Sequence, residues 1–254
     1  MLQIYYIFKK EIRQFVFSPI VYIVAGVFHS ILGYFFYNSL ISYSQKVIEM
    51  SGTGAELANF TPTTVIMFGL MKSMGTVFLL LTPMITMRLV AEEKRGRTME
   101  MLITSPLSLS SILIGKYLAA FTVYSGIILS TMYMPLVLDM LTTINWPHVA
   151  MGYLGLLMVG AAMVSVGLFA STVTEKQVVA AVLSIGILVI FWFVGGGIGA
   201  ASQRATDFMR EVSLYQPFQN MISGLLDLRD IVFLISYSVV MLFLSHRVME
   251  SGRW

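Results

Sequence analysis

The chain has no cysteine, and only 11% of its 254 residues are charged. The first absence excludes a disulfide scaffold, thiolate zinc sites, iron–sulfur ligation and cysteine nucleophiles. The second excludes an ordinary water-soluble globule, in which about 25% of residues carry charge. What takes their place is apolar: 57% of residues are hydrophobic, and the mean hydropathy is +0.82. The length would allow one or two soluble domains, but the apolar runs leave little soluble mass. Composition therefore predicts an all-α polytopic membrane protein.

A membrane-crossing helix needs about 20 mostly apolar residues. Six segments qualify: 19–41, 68–90, 113–138, 150–172, 177–199 and 229–247. Together they define a single transmembrane domain over residues 1–254. The N-terminal stretch does not read as a cleavable signal, because Phe15 to Tyr37 is too long and offers no small-residue cleavage site. Lys72 interrupts the second run; entry of that helix near Ser73 would leave Lys72 at the outer interface, free to snorkel.

Elsewhere the spans are nearly free of charge. A charge at the bilayer centre costs about 2.5–3.5 kcal/mol, a cost that ion-coupled carriers commonly accept along their pathway. Its absence argues against ion coupling through the bundle. An ion- or proton-coupled carrier or a channel is the main alternative function, and flux without ATP would single it out.

Topology follows from the basic residues. With the N-terminus in the cytoplasm, most of the 16 lysines and arginines fall inside, leaving Lys46, Lys72, Arg204, Arg210 and Arg229 outside. That bias predicts both termini in the cytoplasm, in agreement with an even number of spans.

Three non-spanning segments carry further information. Residues 1–17 place Met1, Tyr5, Phe8, Ile12 and Phe15 on one helical face, with Lys9, Lys10, Arg13 and Gln14 largely elsewhere. This pattern predicts an amphipathic helix lying on the membrane surface. Residues 88–116 form the largest cytoplasmic loop. Arg88 to Arg95 would prolong the second span, with Glu92 and Arg95 one turn apart, and Gly96 would stop it. Thr98 would cap a short helix through Ile103, with Glu100 in its first turn and Met101 and Leu102 available for packing. Ser105-Pro106 would end that helix, and Ser108 would cap the third span. Residues 200–228 would lie outside, as an interfacial helix and then a short apolar helix after Pro217.

No nucleotide site is encoded. Gly115-Lys116 lacks the glycine five residues earlier and the Ser or Thr that a P-loop requires. Gly195-Gly196-Gly197 and Gly199 follow a span rather than a strand, so they read as close helix packing or an unwound helix end. His29, His148 and His246 fall at separate places and form no metal or triad set; His29, at membrane depth, could bond a neighbouring helix. Ser223-Gly224 lacks an evident histidine partner for protease chemistry. Asn59-Phe60-Thr61 matches the glycosylation sequon, a three-residue pattern of little weight.

The segment EEKRGRTMEMLITSPLSLSSILIGKYL at 92–118 resembles a signature of ABC type 2 export permeases. It has paired acids, basic residues, a Gly turn near Thr, a short acidic-apolar helix, Ser-Pro, and Gly-Lys opening the next span. Pro217-Phe218, the C-terminal run from Gly224 and the opening FKKEIRQFVFSPIVYIV are similar to the permease of gliding-motility-associated ABC systems. The resemblance implies that a cytoplasmic ATPase subunit binds the loop through Glu92, Glu93, Arg95, Gly96, Arg97, Thr98, Glu100, Met101, Leu102, Thr104, Ser105 and Pro106. The acids would pair with basic residues on the ATPase, and the N-terminal helix with Lys9, Lys10 and Arg13 would ride along.

It further implies a second permease copy or a related one, an auxiliary membrane or periplasmic subunit, and residence in a bacterial inner membrane. ATP and magnesium would be held by the ATPase, with no cofactor on this chain. The machine would export cargo or transmit force. Arg97 departs from the pattern, standing where the family has Gly directly before Thr.

Overall fold

Each long apolar run becomes a helix, because a chain in hydrocarbon must satisfy its backbone polar groups internally. The computed structural model describes residues 2–53, 61–97, 108–194 and 211–251. The helices are α1 (Leu2–Val16), α2 (Pro19–Thr53), α3 (Phe68–Thr86), α4 (Ala91–Arg95) and α5 (Leu109–Ser130). They continue with α6 (Tyr133–Leu141), α7 (Trp146–Val173), α8 (Gln177–Phe193), α9 (Tyr215–Ile222) and α10 (Leu228–Ser251). A π-helical turn, Thr63–Met67, leads into α3.

Among the described residues, five stretches have the length and apolarity to cross a bilayer: Pro19–Glu49, Thr63–Arg95, Leu109–Leu141, Trp146–Val173 and Leu228–Ser251. The sixth expected span corresponds to the shorter apolar helix α8, and residues 195–199 of that run lie outside the described ones.

The core is built around α7, whose apolar window is 72% buried, against 17% for α2. Large side chains enter its surface at glycines. A Cβ on Gly160 would lie 1.9 Å from the Tyr124 ring, and one on Gly167 would lie 2.0 Å from Thr86 Oγ1. Gly152 faces Met71 and Gly155 faces Met221 in the same way. In hydrocarbon, where helix association depends on packing, small residues let neighbours approach this closely.

Short elements close the two ends. At one end α9 buries Phe218, Met221 and Ile222, and Asn220 Nδ2 donates to Asp230 Oδ2 of α10 at 2.9 Å. The helix expected after Pro217 starts at Tyr215, so Pro217 falls in its first turn, where a missing N–H leaves no bond unmade. The same end holds Lys46, Lys72 and Arg229. The helix of the second span begins at Thr63, ten residues before Ser73, rather than near it. Lys72 is exposed, with its ammonium 5.7 Å from the Tyr215 ring centre. His29 does bond a neighbouring helix: its Nε2 is 3.0 Å from Ser130 Oγ and its Nδ1 2.8 Å from Ala25 O. At the opposite, basic end lie α1, α4, the start of α5 and the C-terminal ends of α7 and α10.

Candidate functional site

The basic end is organised around charge that is buried rather than displayed. In α1, Ile7, Glu11 and Phe15 recur every four residues and point inward, so an acid occupies the middle of the packed face. Tyr5, expected on that face, is exposed. The helix packs on the first turns of α5. Gly115 permits the contact: a Cβ there would be 2.8 Å from Ile7 Cγ2 and 3.3 Å from Ile4 O.

Lys116, the next residue, is enclosed by that contact. Its Nζ donates to Glu11 Oε1 at 2.8 Å and forms an ion pair with Glu93 Oε2 at 3.0 Å. Lys10 Nζ donates to Glu93 Oε1 at 3.1 Å and lies 3.9 Å from Glu11 Oε1. The four charges alternate in sign around a closed ring. The side chains of Lys116 and Glu11 are 2% and 6% exposed, that of Glu93 12%, and only Lys10 is open to water at 51%. Buried charge is tolerated when it is paired and hydrogen-bonded, and two cations here match two anions.

Glu93 reaches the ring because α4 is held at a fixed angle. The second span does not run straight into Arg95; it breaks over residues 87–90. Ser171, near the end of α7, spans the break: its Oγ accepts from Val90 N and Ala91 N, both at 3.0 Å, and donates to Met87 O at 3.0 Å. One hydroxyl thus satisfies donors that begin α4 and an acceptor that ends the preceding turn. Lys94 Nζ donates to Thr172 O at 2.5 Å, placing a cation on the carbonyl end of α7. Arg88 donates to Ser18 Oγ at 2.6 Å and stands 5.0 Å from the centre of the Phe15 ring, tying the same turn to the start of α2.

Gly96 caps α4 in right-handed geometry, and its N–H donates to Glu92 O. The left-handed residue is Arg97, with φ 54°. A stop expected on Gly96 therefore extends one residue further, where the chain carries a side chain in a region that favours glycine.

A cleft of about 710 Å³ lies beside the ring, lined by Gln14, Ser18, Arg88, Glu92 and Gly96 among others. Glu92, Arg95, Gly96 and Arg97 are exposed and available to a partner. Glu93 is largely enclosed, and both of its oxygens face lysines of this chain. Thr98, Glu100, Met101, Leu102, Thr104, Ser105 and Pro106 lie outside the described residues. Ser108 caps α5 as expected, accepting from Ser111 N at 3.2 Å.

Glu11 and Ser171 were not signalled as functional by the sequence, and Lys116 stood out only in the rejected P-loop match and in the Gly-Lys pair that opens a span. The available signal for Glu11 was its place midway between Ile7 and Phe15 at helical spacing. Among the described residues no cluster of His, Asp and Glu could hold a metal. His148 stands against Gly224, but the neighbouring Ser223 hydroxyl donates to Gln219 O at 2.8 Å, within its own helix.

The family model described as ABC-2 family transporter protein matches residues 55–245. That stretch contains Glu93, Lys116 and Ser171, whereas Glu11 and Lys10 precede it. No curated protein matches the chain.

Proposed function

Because the chain belongs to the ABC-2 transporter family, we propose that it is the permease subunit of an ATP-driven transporter whose ATPase is a separate protein docking at the basic end. That end would face the cytoplasm, and both termini with it. The bias of lysine and arginine toward it supports this orientation. The membrane would be a bacterial inner membrane, the direction of transport outward, and a second permease would complete the pathway. ATP and magnesium would reside on the ATPase.

The observation that carries the reading is the closed ring of Lys10, Glu11, Glu93 and Lys116. An ATPase pushing on the loop that begins at Glu92 displaces α4 first. Glu93 then pulls on Lys116, at the start of a span, and on α1 through Lys10 and Glu11. Ser171 and Lys94 pivot α4 on the end of α7, the best-buried span, so that the displacement passes to α1 and the start of α5. Rigid docking at several points is what a coupling element needs, since a loosely held loop would absorb the stroke. Partner contacts fall to the outward residues Glu92, Arg95 and Arg97 and to residues 98–106.

Zero cysteines make the test direct. Single cysteines at Arg95, Arg97 and Met101 of the permease, in the complex purified with its ATPase, should form cross-links to the ATPase that change in yield when ATP is hydrolysed. A cysteine at Lys72, at the opposite end, should form none. Cross-linking only from the Lys72 end, or from neither, rules the reading out.

A further inference from the structure

The face of α1 turned away from the ring exposes Leu2, Tyr5, Tyr6, Val16 and Phe17 beside Lys9 and Arg13. Bare apolar side chains in this number do not suit water, and bases among them do not suit the hydrocarbon core. Both suit the headgroup layer, where aromatic rings and long basic side chains span the boundary. Two bonds fix α1 at that depth. Tyr22, in the first turn of α2, donates to Val16 O at 2.8 Å, and Arg88 donates to Ser18 Oγ at 2.6 Å.

A shallow groove of about 490 Å³ runs along this face, lined by Tyr6, Lys9, Lys10, Arg13, Gln14 and Phe17. Its lining holds three cations and no carboxylate. Lys9 and Arg13 have no acidic partner among the described residues, and Arg13 rests 5.8 Å from the centre of the Phe17 ring. A zwitterionic lipid would bring its own ammonium group into the groove and find no anion to receive it. A lipid of net negative charge meets three cations and no carboxylate.

We infer that this groove is a binding site for the headgroup of an anionic phospholipid, its phosphate held by Lys9, Lys10 and Arg13 and its upper acyl chains lying against Tyr6 and Phe17. Lys10 belongs to both the groove and the buried ring, so the lipid touches the side chain that bridges to Glu93. The inference stands independently of the proposed coupling, since it depends only on the surface of α1.

The test uses the full chain in phosphatidylcholine vesicles carrying a trace of spin-labelled phosphatidylglycerol or, in parallel, spin-labelled phosphatidylcholine. The wild-type chain should immobilise the phosphatidylglycerol label in preference. The variant Lys9→Gln/Arg13→Gln keeps Lys10 in its ion pairs and should lose that preference, by about fivefold for each base removed. The variant Lys176→Gln/Arg247→Gln, which removes two exposed bases elsewhere at the same end, should retain it. Equal losses in the two variants would mean a diffuse positive field and overturn the site, as would an unchanged preference in the first. Inorganic phosphate should not displace the label beyond the effect of sodium chloride at the same ionic strength. Specific displacement would make the groove a site for free phosphate and overturn the lipid assignment.

Discussion

Lys116 and Glu11 lie 105 residues apart in the chain and 2.8 Å apart in space, the ammonium of one span's first turns donating to a carboxylate of the N-terminal helix. Neither side chain reaches water to any useful degree. Each therefore depends on the other and on Glu93 for the stabilisation that solvent would otherwise supply.

Replacing Lys116 with methionine leaves Glu11 and Glu93 facing each other with only Lys10 between them. Loss of one partner of a buried pair costs about 3–5 kcal/mol. The variant should unfold at markedly lower temperature in detergent, followed by the fluorescence of the 3 tryptophans. Adding Glu11→Met removes the orphaned carboxylate while Glu93 keeps Lys10, and should restore much of the loss. Equal melting of the single variant and wild type would show that the ring contributes nothing to folding.

Gly115→Val should lift α1 from the bundle, because the new side chain enters the space of Ile7. Trypsin should then cleave at Lys9, Lys10 and Arg13 at lower concentration than in the wild type. The pair Gly115→Ala/Ile7→Ala trades one methyl for a larger removal on the facing helix and should return cleavage toward normal. Unchanged proteolysis of Gly115→Val would mean that α1 docks elsewhere.

Ser171→Ala removes three hydrogen bonds and orphans two buried backbone donors, Val90 N and Ala91 N. Each orphaned buried donor costs about 1–3 kcal/mol. The local signature is faster amide hydrogen exchange at Val90 and Ala91, without a comparable change in the middle of α7. Uniform acceleration across both helices would point to global loosening instead.

Arg97→Gly should stabilise the chain by about 1 kcal/mol, since a left-handed L-residue costs roughly 1–2 kcal/mol that glycine does not incur. Arg97→Ala keeps the strained backbone and should give no such gain. The comparison of melting temperatures between these two substitutions isolates backbone strain from loss of the guanidinium. Equal melting would mean the turn relaxes freely.

The helices were legible in the sequence because hydrocarbon imposes a minimum length and apolarity on anything that crosses it. The Ser108 cap was legible because capping is local. The orientation of α1 was legible only in part. A reading that follows apolar residues finds Phe15, buried, and Phe8 and Ile12, half-buried, but it includes the exposed Tyr5 and passes over Glu11, because the packed face is turned toward an acid that a buried lysine compensates. That lysine lies on another helix, so nothing within α1 announces the exchange. The bend before α4 was hidden for a similar reason: the hydroxyl that stabilises it, on Ser171, lies 80 residues beyond Ala91. The straight continuation through Arg95 had the better local propensity, and a tertiary contact overrode it.

Helix α7 meets its neighbours through notches at four heights, filled by Met71, Met221, Tyr124 and Thr86. Sliding α7 along its axis by part of a turn would drive the backbone into all four at once. Rotating it would swing the notches away from their occupants with nothing of similar shape to follow. The low-cost displacements left are those in which α7 stays put and less buried helices shift around it. Mechanically it is a stator, so any conformational cycle of this protein should be sought in the movement of α1, α2 and α10 against it.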